Sequence, residues 1–299
     1  MNVVIGKLGK IIQLILVTCF FLLAPSLSYA VEVTFPDTNL ESAVRDAIEK
    51  PSDPILDTDL VGTNFTSLAA QNTAISNLSG LEYCTDLEHL DLSGNNISDL
   101  SALSGLANLK SLLLSANSIS NLNPLSELTN LSTLFLTTNN ITNINALSEL
   151  VNLTGLVLSS NSISDITPLQ NLKSLELLYL RENNISVITA LSELTKLVNL
   201  DLFENNITDI SPLSELQDLV FLDLYANDII DISALSGLIH LKNLFLDANN
   251  ISNITALLDN IGMGEGDFVN LEDNPLSQNA LCSSIPALEE RSVAIAYFG

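Results

Sequence analysis

From residue 65 to about residue 276, apolar side chains recur with a period of 22. Leu90-Asp91-Leu92 reappears as Leu112-Leu113-Leu114, Leu134-Phe135-Leu136 and Leu156-Val157-Leu158, and onward to Leu244-Phe245-Leu246. The L-x-L step alternates inward and outward positions, which predicts a short strand in each copy. Ile97, Ile119, Ile141, Ile163, Ile185, Ile207, Ile229 and Ile251 follow in register, and then Leu or Ile at intervals of three, as in Leu100, Leu103 and Leu106. A spacing of three suits a tight 3₁₀-like or extended segment. At Asn123-Pro124, Thr167-Pro168 and Ser211-Pro212 the pattern predicts a capping residue just before Pro. The unit is LxxLxLxxNxIxxLxxLxxLxx.

One polar position is as regular as the leucines. Asn95, Asn117, Asn139, Asn161, Asn183, Asn205, Asn227 and Asn249 are each 22 residues apart. A chain that turns inward after every strand buries backbone N–H and C=O groups, and an amide side chain can satisfy both kinds. Ionised Asp only accepts. The chain has 35 acidic residues, yet none of them occupies these eight positions. The eight Asn residues are therefore expected to form a structural ladder, not a catalytic set. A single repeat cannot offset the entropy of ordering its own backbone, so neighbours must bury each other's anchors and share strand hydrogen bonds.

The unit resembles the short, 22-residue form of the leucine-rich repeat. The resemblance implies an α/β repeat solenoid: a right-handed horseshoe or arc with a parallel β-sheet on its concave face, a helical N-terminal cap and a C-terminal cap. The expected organisation is a signal peptide over residues 1–30, an N-terminal helical cap over 31–64, about nine to ten repeats over 65–276, and a C-terminal cap over 277–299. In the N-terminal cap, Leu40, Ala43, Val44, Ala47 and Ile48 fall on one helical face. Asp37 or Thr38 can start that helix and Pro51 stops it. This cap is similar to those of secreted bacterial leucine-rich repeat proteins of the internalin-like type. Phe65, Leu68 and Ile75 make a degenerate first repeat with Thr73 in the Asn column. Near the other end the step from Asn249 to Asn274 is 25 residues, and the extra three fall in a glycine-rich loop around Gly262, Gly264 and Gly266. A helix from Ile285 to Glu290 and a strand from Val293 to Tyr297 are expected to cover the open edge of the core.

Composition narrows the function. The 299 residues carry 10 Lys and Arg against 35 Asp and Glu, a formal net charge of −25. Phosphate binding needs clustered bases, so nucleic acid is not expected as a partner. Lys7 and Lys10 precede an apolar run from Ile11 to Ala24, Pro25 and then Ser28-Tyr29-Ala30. These features read as a secretory signal cleaved after Ala30. The run is shorter than the ~20 residues a membrane span needs, and no stable membrane insertion is expected after cleavage. Cys19 is read as apolar filler of that run. The product is expected to be secreted, periplasmic or at the cell surface. Without Lys7 and Lys10 the 10 bases become 8, and the net charge becomes −27.

Nothing proposes catalysis. His89 and His240 stand seven repeats apart, and no HExxH, CxxC, GxSxG or phosphate-loop pattern occurs. Cys84 takes a core ladder position and Cys282 falls in the C-terminal cap. With about nine repeats rising ~4.8 Å each, they are too far apart to pair in one molecule; buried free thiols are expected, with an intermolecular bridge through Cys282 as the alternative. N-x-Ser/Thr triplets such as Asn96-Ile97-Ser98 are by-products of the repeat. No catalytic residue, metal or cofactor is expected. The acids Asp99, Asp165, Asp209 and Asp231 line the turn onto the convex side and are read as a solvated edge, not a Ca²⁺ site.

The strand residues between the Leu anchors face the concave side in three columns. The framework needs no aromatic there, yet Phe135, Tyr179, Phe203, Phe221, Tyr225 and Phe245 all fall in these columns, with Phe268 at the last repeat less firmly placed. Leu113, Val157 and Leu177 extend the patch, Arg181 is its only base, and Asp201, Asp223 and Asp247 are read as its acidic border. Aromatics and Arg on a rigid face are common anchors of protein interfaces. The expected binding residues are Phe135, Val157, Leu177, Tyr179, Arg181, Phe203, Phe221, Asp223, Tyr225 and Phe245, and the expected partner is a protein with a basic or neutral surface. The chain itself is expected to be a monomer. The resemblance implies the same kind of role: an exported, non-enzymatic protein that mediates protein–protein interaction. Wall-sorting signals and adhesion modules of surface-anchored members are not found in this sequence. The alternative is a structural envelope component that acts by self-association.

Overall fold

The computed structural model describes residues 30–62 and 65–298. The leader expected over residues 1–30 lies outside the described residues, Ala30 excepted. Eleven three-residue strands follow one another in a single parallel sheet in chain order. They are β1 (Ser67–Ala69), β2 (His89–Asp91), β3 (Ser111–Leu113), β4 (Thr133–Phe135), β5 (Gly155–Val157), β6 (Leu177–Tyr179), β7 (Asn199–Asp201), β8 (Phe221–Asp223), β9 (Asn243–Phe245), β10 (Phe268–Asn270) and β11 (Ala294–Ala296). Each central residue meets its counterpart in the next copy, as Leu112 meets Leu134 and Leu178 meets Leu200. A slip of one residue would turn the whole Leu column outward, so the period and the core enforce the same register. Each strand starts one residue ahead of its L-x-L step. The second anchor lies just past the strand but stays paired and buried: Leu114 donates its N–H to the Phe135 carbonyl at 2.8 Å and is fully buried.

Opposite the sheet, the spacing of three forms short 3₁₀ turns, from Ser101–Leu103 and Asn123–Leu125 to Ser233–Gly237. The anchors between the two faces make one continuous apolar core from Val33 to Val293. The 3₁₀ turns are not capped by the residue before Pro. Asn123, Thr167 and Ser211 are themselves the first residues of their turns. The cap comes from two residues earlier: Asn121, Asp165 and Asp209 accept the N–H of Asn123, Thr167 and Ser211 at 3.0, 2.9 and 2.8 Å. Asp99 and Asp231 do the same for Ser101 and Ser233. The convex acidic edge is therefore a column of turn caps as well as a solvated surface.

The Asn ladder knits each bend to the one before it. Asn205 accepts the Ile185 N–H of the preceding repeat at 3.0 Å and donates to the carbonyls of Leu180 and Leu202 at 3.1 Å each. The same set recurs for Asn117, Asn139, Asn161, Asn183, Asn227 and Asn249, as in Ile163 N–H to Asn183 and Asn183 to Leu158 and Leu180. Asn95 does this for the degenerate first repeat and Asn274 for the last, across the three-residue insertion. The residue before each ladder Asn is left-handed: Ala116, Thr138, Ser160, Glu182, Glu204, Ala226 and Ala248 all have φ between 48° and 55°. Such a backbone is unfavourable for these side chains. Cross-repeat bonds hold it, as in Ala116 N–H to Thr137 O at 2.7 Å. Gly94 takes this position in the second repeat, where a Cβ would run into the Asn72 side chain.

Both ends are closed. Helix α1 (Thr38–Ala47) starts at Asp37, whose Oδ1 accepts from Asn39 and Leu40. It buries Leu40 and Val44 fully, with Ala43 and Ile48 packed beside them and Ala47 left exposed. At the far end α2 (Thr255–Asp259) replaces a 3₁₀ turn and leads into the glycine-rich loop. That loop is pinned from inside. Asn260 is fully buried on the Leu235 and Leu238 carbonyls, and Asp267, 1% exposed, takes the Gly264 N–H and the Lys242 ammonium. A wide helical turn, Ala280–Ser284, runs into α3 (Ile285–Glu289), and β11 then completes the sheet. Arg291 clamps this segment to the Leu258 carbonyl at 2.8 Å.

The two thiols have different settings. Cys84 is fully buried, and burial, reinforced by Glu82, pushes its thiol up to about 12. Cys282 is free, as expected, but it is exposed and not buried, because it stands on the outer side of the C-terminal helical turn.

Candidate binding face

Each strand sends its middle residue inward and the two flanking residues out onto the concave side, so register alone builds the columns of the face. The central column runs Phe135, Val157, Tyr179, Asp201, Asp223 and Phe245 on successive strands. The column before it holds Leu177, Asn199, Phe221, Asn243 and Phe268, because Phe268 pairs with Asn243. Arg181, Phe203, Tyr225 and Asp247 follow the strands by two residues and make the third column.

The aromatic rings meet across repeats. Phe203 and Tyr225 stack at 4.8 Å between centroids, and the Arg181 guanidinium lies 5.8 Å from the Phe203 centroid. Phe221, Phe245 and Phe268 form a chain of tilted contacts at 5.8 and 5.6 Å. All of these rings are half-buried, each by its neighbours and not by the core. Phe135, Leu177 and Tyr179 continue the patch toward the N-terminal repeats. Val157, expected to contribute surface, is only 8% exposed. It lies between Phe135 and Tyr179 in its column, and the larger neighbours cover it.

The acids do not border this patch; they lie within it. Asp201 and Asp223 stand between Tyr179 and Phe245, and Asp201 is 8% exposed. Asp247 follows Tyr225, and its buried Oδ1 has no hydrogen-bond partner among the described residues. Burial pushes Asp223 up to about 6; the Tyr225 N–H and Arg181 work against this, while Asp201 and Asp247 add to it. Burial also raises Asp201, opposed by the Phe203 N–H and by Arg181. Burial raises Asp247 as well, with Glu272 and Asp273 nearby adding to the effect. Arg181 is exposed and pairs with Glu182 at 3.6 Å. The placement of Asp201 inside the patch was not evident from the columns read singly. The signal was an acid in the central column with an aromatic on either side of the pair.

Among the described residues no group of three or more His, Cys, Asp or Glu side chains converges as a metal site. Nor is any helix among them long and apolar enough to cross a membrane. What the face offers chemically is ring surface, a stacked cation and half-desolvated carboxylates on a rigid support.

Residues 63–105, 173–215 and 195–235 match the family model described as leucine-rich repeats, two copies. No curated protein matches the chain in sequence. Among solved structures it is similar to internalin C2 of Listeria monocytogenes, with 33% identity and a TM-score of 0.69, over 77% of this chain and 100% of that one. The internalin InlF of the same species is 28% identical with a TM-score of 0.58, over 91% of this chain and 94% of that one. The functional domain of InlJ from Listeria monocytogenes, which includes a cysteine ladder, is 25% identical with a TM-score of 0.64, over 88% of this chain and 59% of that one.

Proposed function

The chain belongs to the internalin-like leucine-rich repeat proteins, and we propose that it works as an exported, non-enzymatic recognition protein whose concave face captures another protein. One observation carries this reading. The sheet needs no aromatic in its outward columns, yet Phe203 and Tyr225 stack there at 4.8 Å, outside the core, with Arg181 over the Phe203 ring. Aromatic side chains lose little entropy on binding, and aromatic and Arg side chains are those that most often dominate interface energetics. The carboxylates among them favour a partner with a basic or neutral surface, with association rates that fall as salt rises. The chain acts as a monomer, and export follows from the leader read in residues 1–30.

The test is capture of an extracellular protein by the chain lacking its leader, against the variant Tyr179→Ala/Phe203→Ala/Tyr225→Ala. The variant should lose capture while its far-UV circular dichroism stays the same, since none of the three side chains is in the core. Undiminished capture by the variant would place binding on another surface.

A further inference from the structure

Two carboxylates sit at the centre of the aromatic face, and among the described residues no cation pairs them. Asp201 and Asp223 are register partners on β7 and β8, so their backbones run about 4.8 Å apart. Tyr179 closes the column on one side and Phe245 on the other. The Phe203–Tyr225 stack flanks the pair on the third column, and Phe221 on the first. The Oδ1 atoms are already engaged: Asp201 accepts the Phe203 N–H at 3.1 Å and Asp223 the Tyr225 N–H at 3.0 Å. Among the described residues no donor reaches either Oδ2. Asp201 is more than nine-tenths buried, at 8% exposure, in the central column of the concave face. Arg181, the nearest base, is held by Glu182 and the Phe203 ring.

We propose that this aromatic-walled carboxylate pair receives the ammonium group of a lysine side chain carried by the captured protein. The proposal rests on the protein-capture reading above. The choice of lysine over arginine follows from the free oxygens. A guanidinium fork binds both oxygens of one carboxylate. Here each carboxylate offers a single oxygen, and the two lie on neighbouring strands, where a compact ammonium with three donors can bridge them. The surrounding rings would pack the methylene stem and face the charge. The site is also short of positive charge. The groups facing Asp223 are Asp201 from β7, Arg181 beyond β6 and Asp247 beyond β9; Glu182 faces Asp201, and Glu272 and Asp273 lie next to Asp247. Anions outnumber cations in that set, and burial already holds the Asp223 carboxyl near 6. Protonation of Asp223 as pH falls through that value removes one of the two charges that hold the ammonium.

n-Butylammonium, a lysine side chain without its backbone, is the probe, titrated into the full chain and followed by tyrosine fluorescence. Saturable binding is expected at pH 7.5, weaker by about tenfold at pH 5. The Asp201→Asn/Asp223→Asn variant should weaken it at least about tenfold, and butylguanidinium and neutral N-butylacetamide should bind less well. Asn keeps an oxygen for the Phe203 and Tyr225 N–H groups, so the variant retains the turn. No saturable binding at pH 7.5 would overturn the proposal. Equal binding by the double variant, by butylguanidinium or by the neutral amide would overturn it as well. Protein capture separates this proposal from the broader one. If the triple aromatic variant loses capture and the double Asn variant keeps it, the lysine site is wrong and the binding face stands. If both variants capture normally, the face itself is wrong.

Discussion

An ionised aspartate in the middle of a sheet face carries a cost that the rest of the fold must absorb. Asp223 has a folded-state value of about 6, above the ordinary 3.8 of an unfolded Asp. Between those two values the folded chain holds more protons than the unfolded chain. Stability contributed at this residue therefore falls as pH rises through that window, and is lowest above about 6. Asp223→Asn should raise stability at pH 7 by roughly 1 kcal/mol, since solvent screens part of the cost of this partly exposed carboxylate, and the gain should vanish as pH falls below 4. Thermal unfolding of both chains across pH 4–8 checks this. A less stable Asn variant at pH 7 would mean that Asp223 is already paired in solution. A residue that weakens the fold and is nonetheless placed among five rings is better explained by binding than by architecture. The legibility of single residues divides along the same line. Asn183 and Leu178 could be assigned from sequence because one physical demand, a buried bend or a buried anchor, recurs every 22 residues and admits one kind of side chain. The left-handed positions could not be assigned, since Ala116, Thr138, Ser160 and Glu182 share a backbone angle and nothing chemical. Asp201 and Asp223 were visible as members of a column, but their enclosure depends on rings from the columns on either side, which only the folded sheet brings together.

At the scale of one element, the 3₁₀ turns show how a polar position outside the core sets a boundary. From position 77 to position 253 every twenty-second residue but one is Asn or Asp, and each of these accepts the N–H two residues on, as Asn143 does for Asn145 and Asn253 for Thr255. The exception is Val187, 60% exposed, before the turn Thr189–Leu191. An Asx side chain there would satisfy a backbone donor that now faces water. Val187→Asn should therefore stabilise the chain by about 0.5–1 kcal/mol, with no change in binding, since the site is on the convex side. A denaturant midpoint that does not move, or that falls, would show that the turn needs no cap. The spacing of three made these turns legible as tight segments. Pro at the second position does not mark their capping residue, because the geometry of a 3₁₀ start puts the acceptor two residues before the turn.

At the scale of the molecule, each coil touches only its neighbours, so loss of structure should begin at an end and spread. The N-terminal end depends on one carboxylate. Asp37 Oδ1 starts α1, while its Oδ2 accepts from Ser76 N–H at 2.8 Å and Asn77 N–H at 3.2 Å in the first repeat. Burial alone would raise its carboxyl, but the N–H groups of Ser76, Asn77, Leu40 and Asn39 outweigh this and hold it below the ordinary 3.8. A depressed value means that the stabilisation is complete above the unfolded value and is lost as pH falls below it, through the folded one. Asp37→Ala removes a helix cap and the bonds that seat the helix on the stack, a loss of about 2–3 kcal/mol at that end. Phe35, which packs over Gly80 where a Cβ would strike its ring, should loosen with it. Hydrogen exchange should then speed up through α1 and β1 first, while β5 to β8 keep their protection, because their ladder contacts are untouched. The unsubstituted chain should show the same order of opening below pH 4. Uniform loss of protection along the sheet would mean that the coils unfold as one unit and that the cap is not where the stack begins to open.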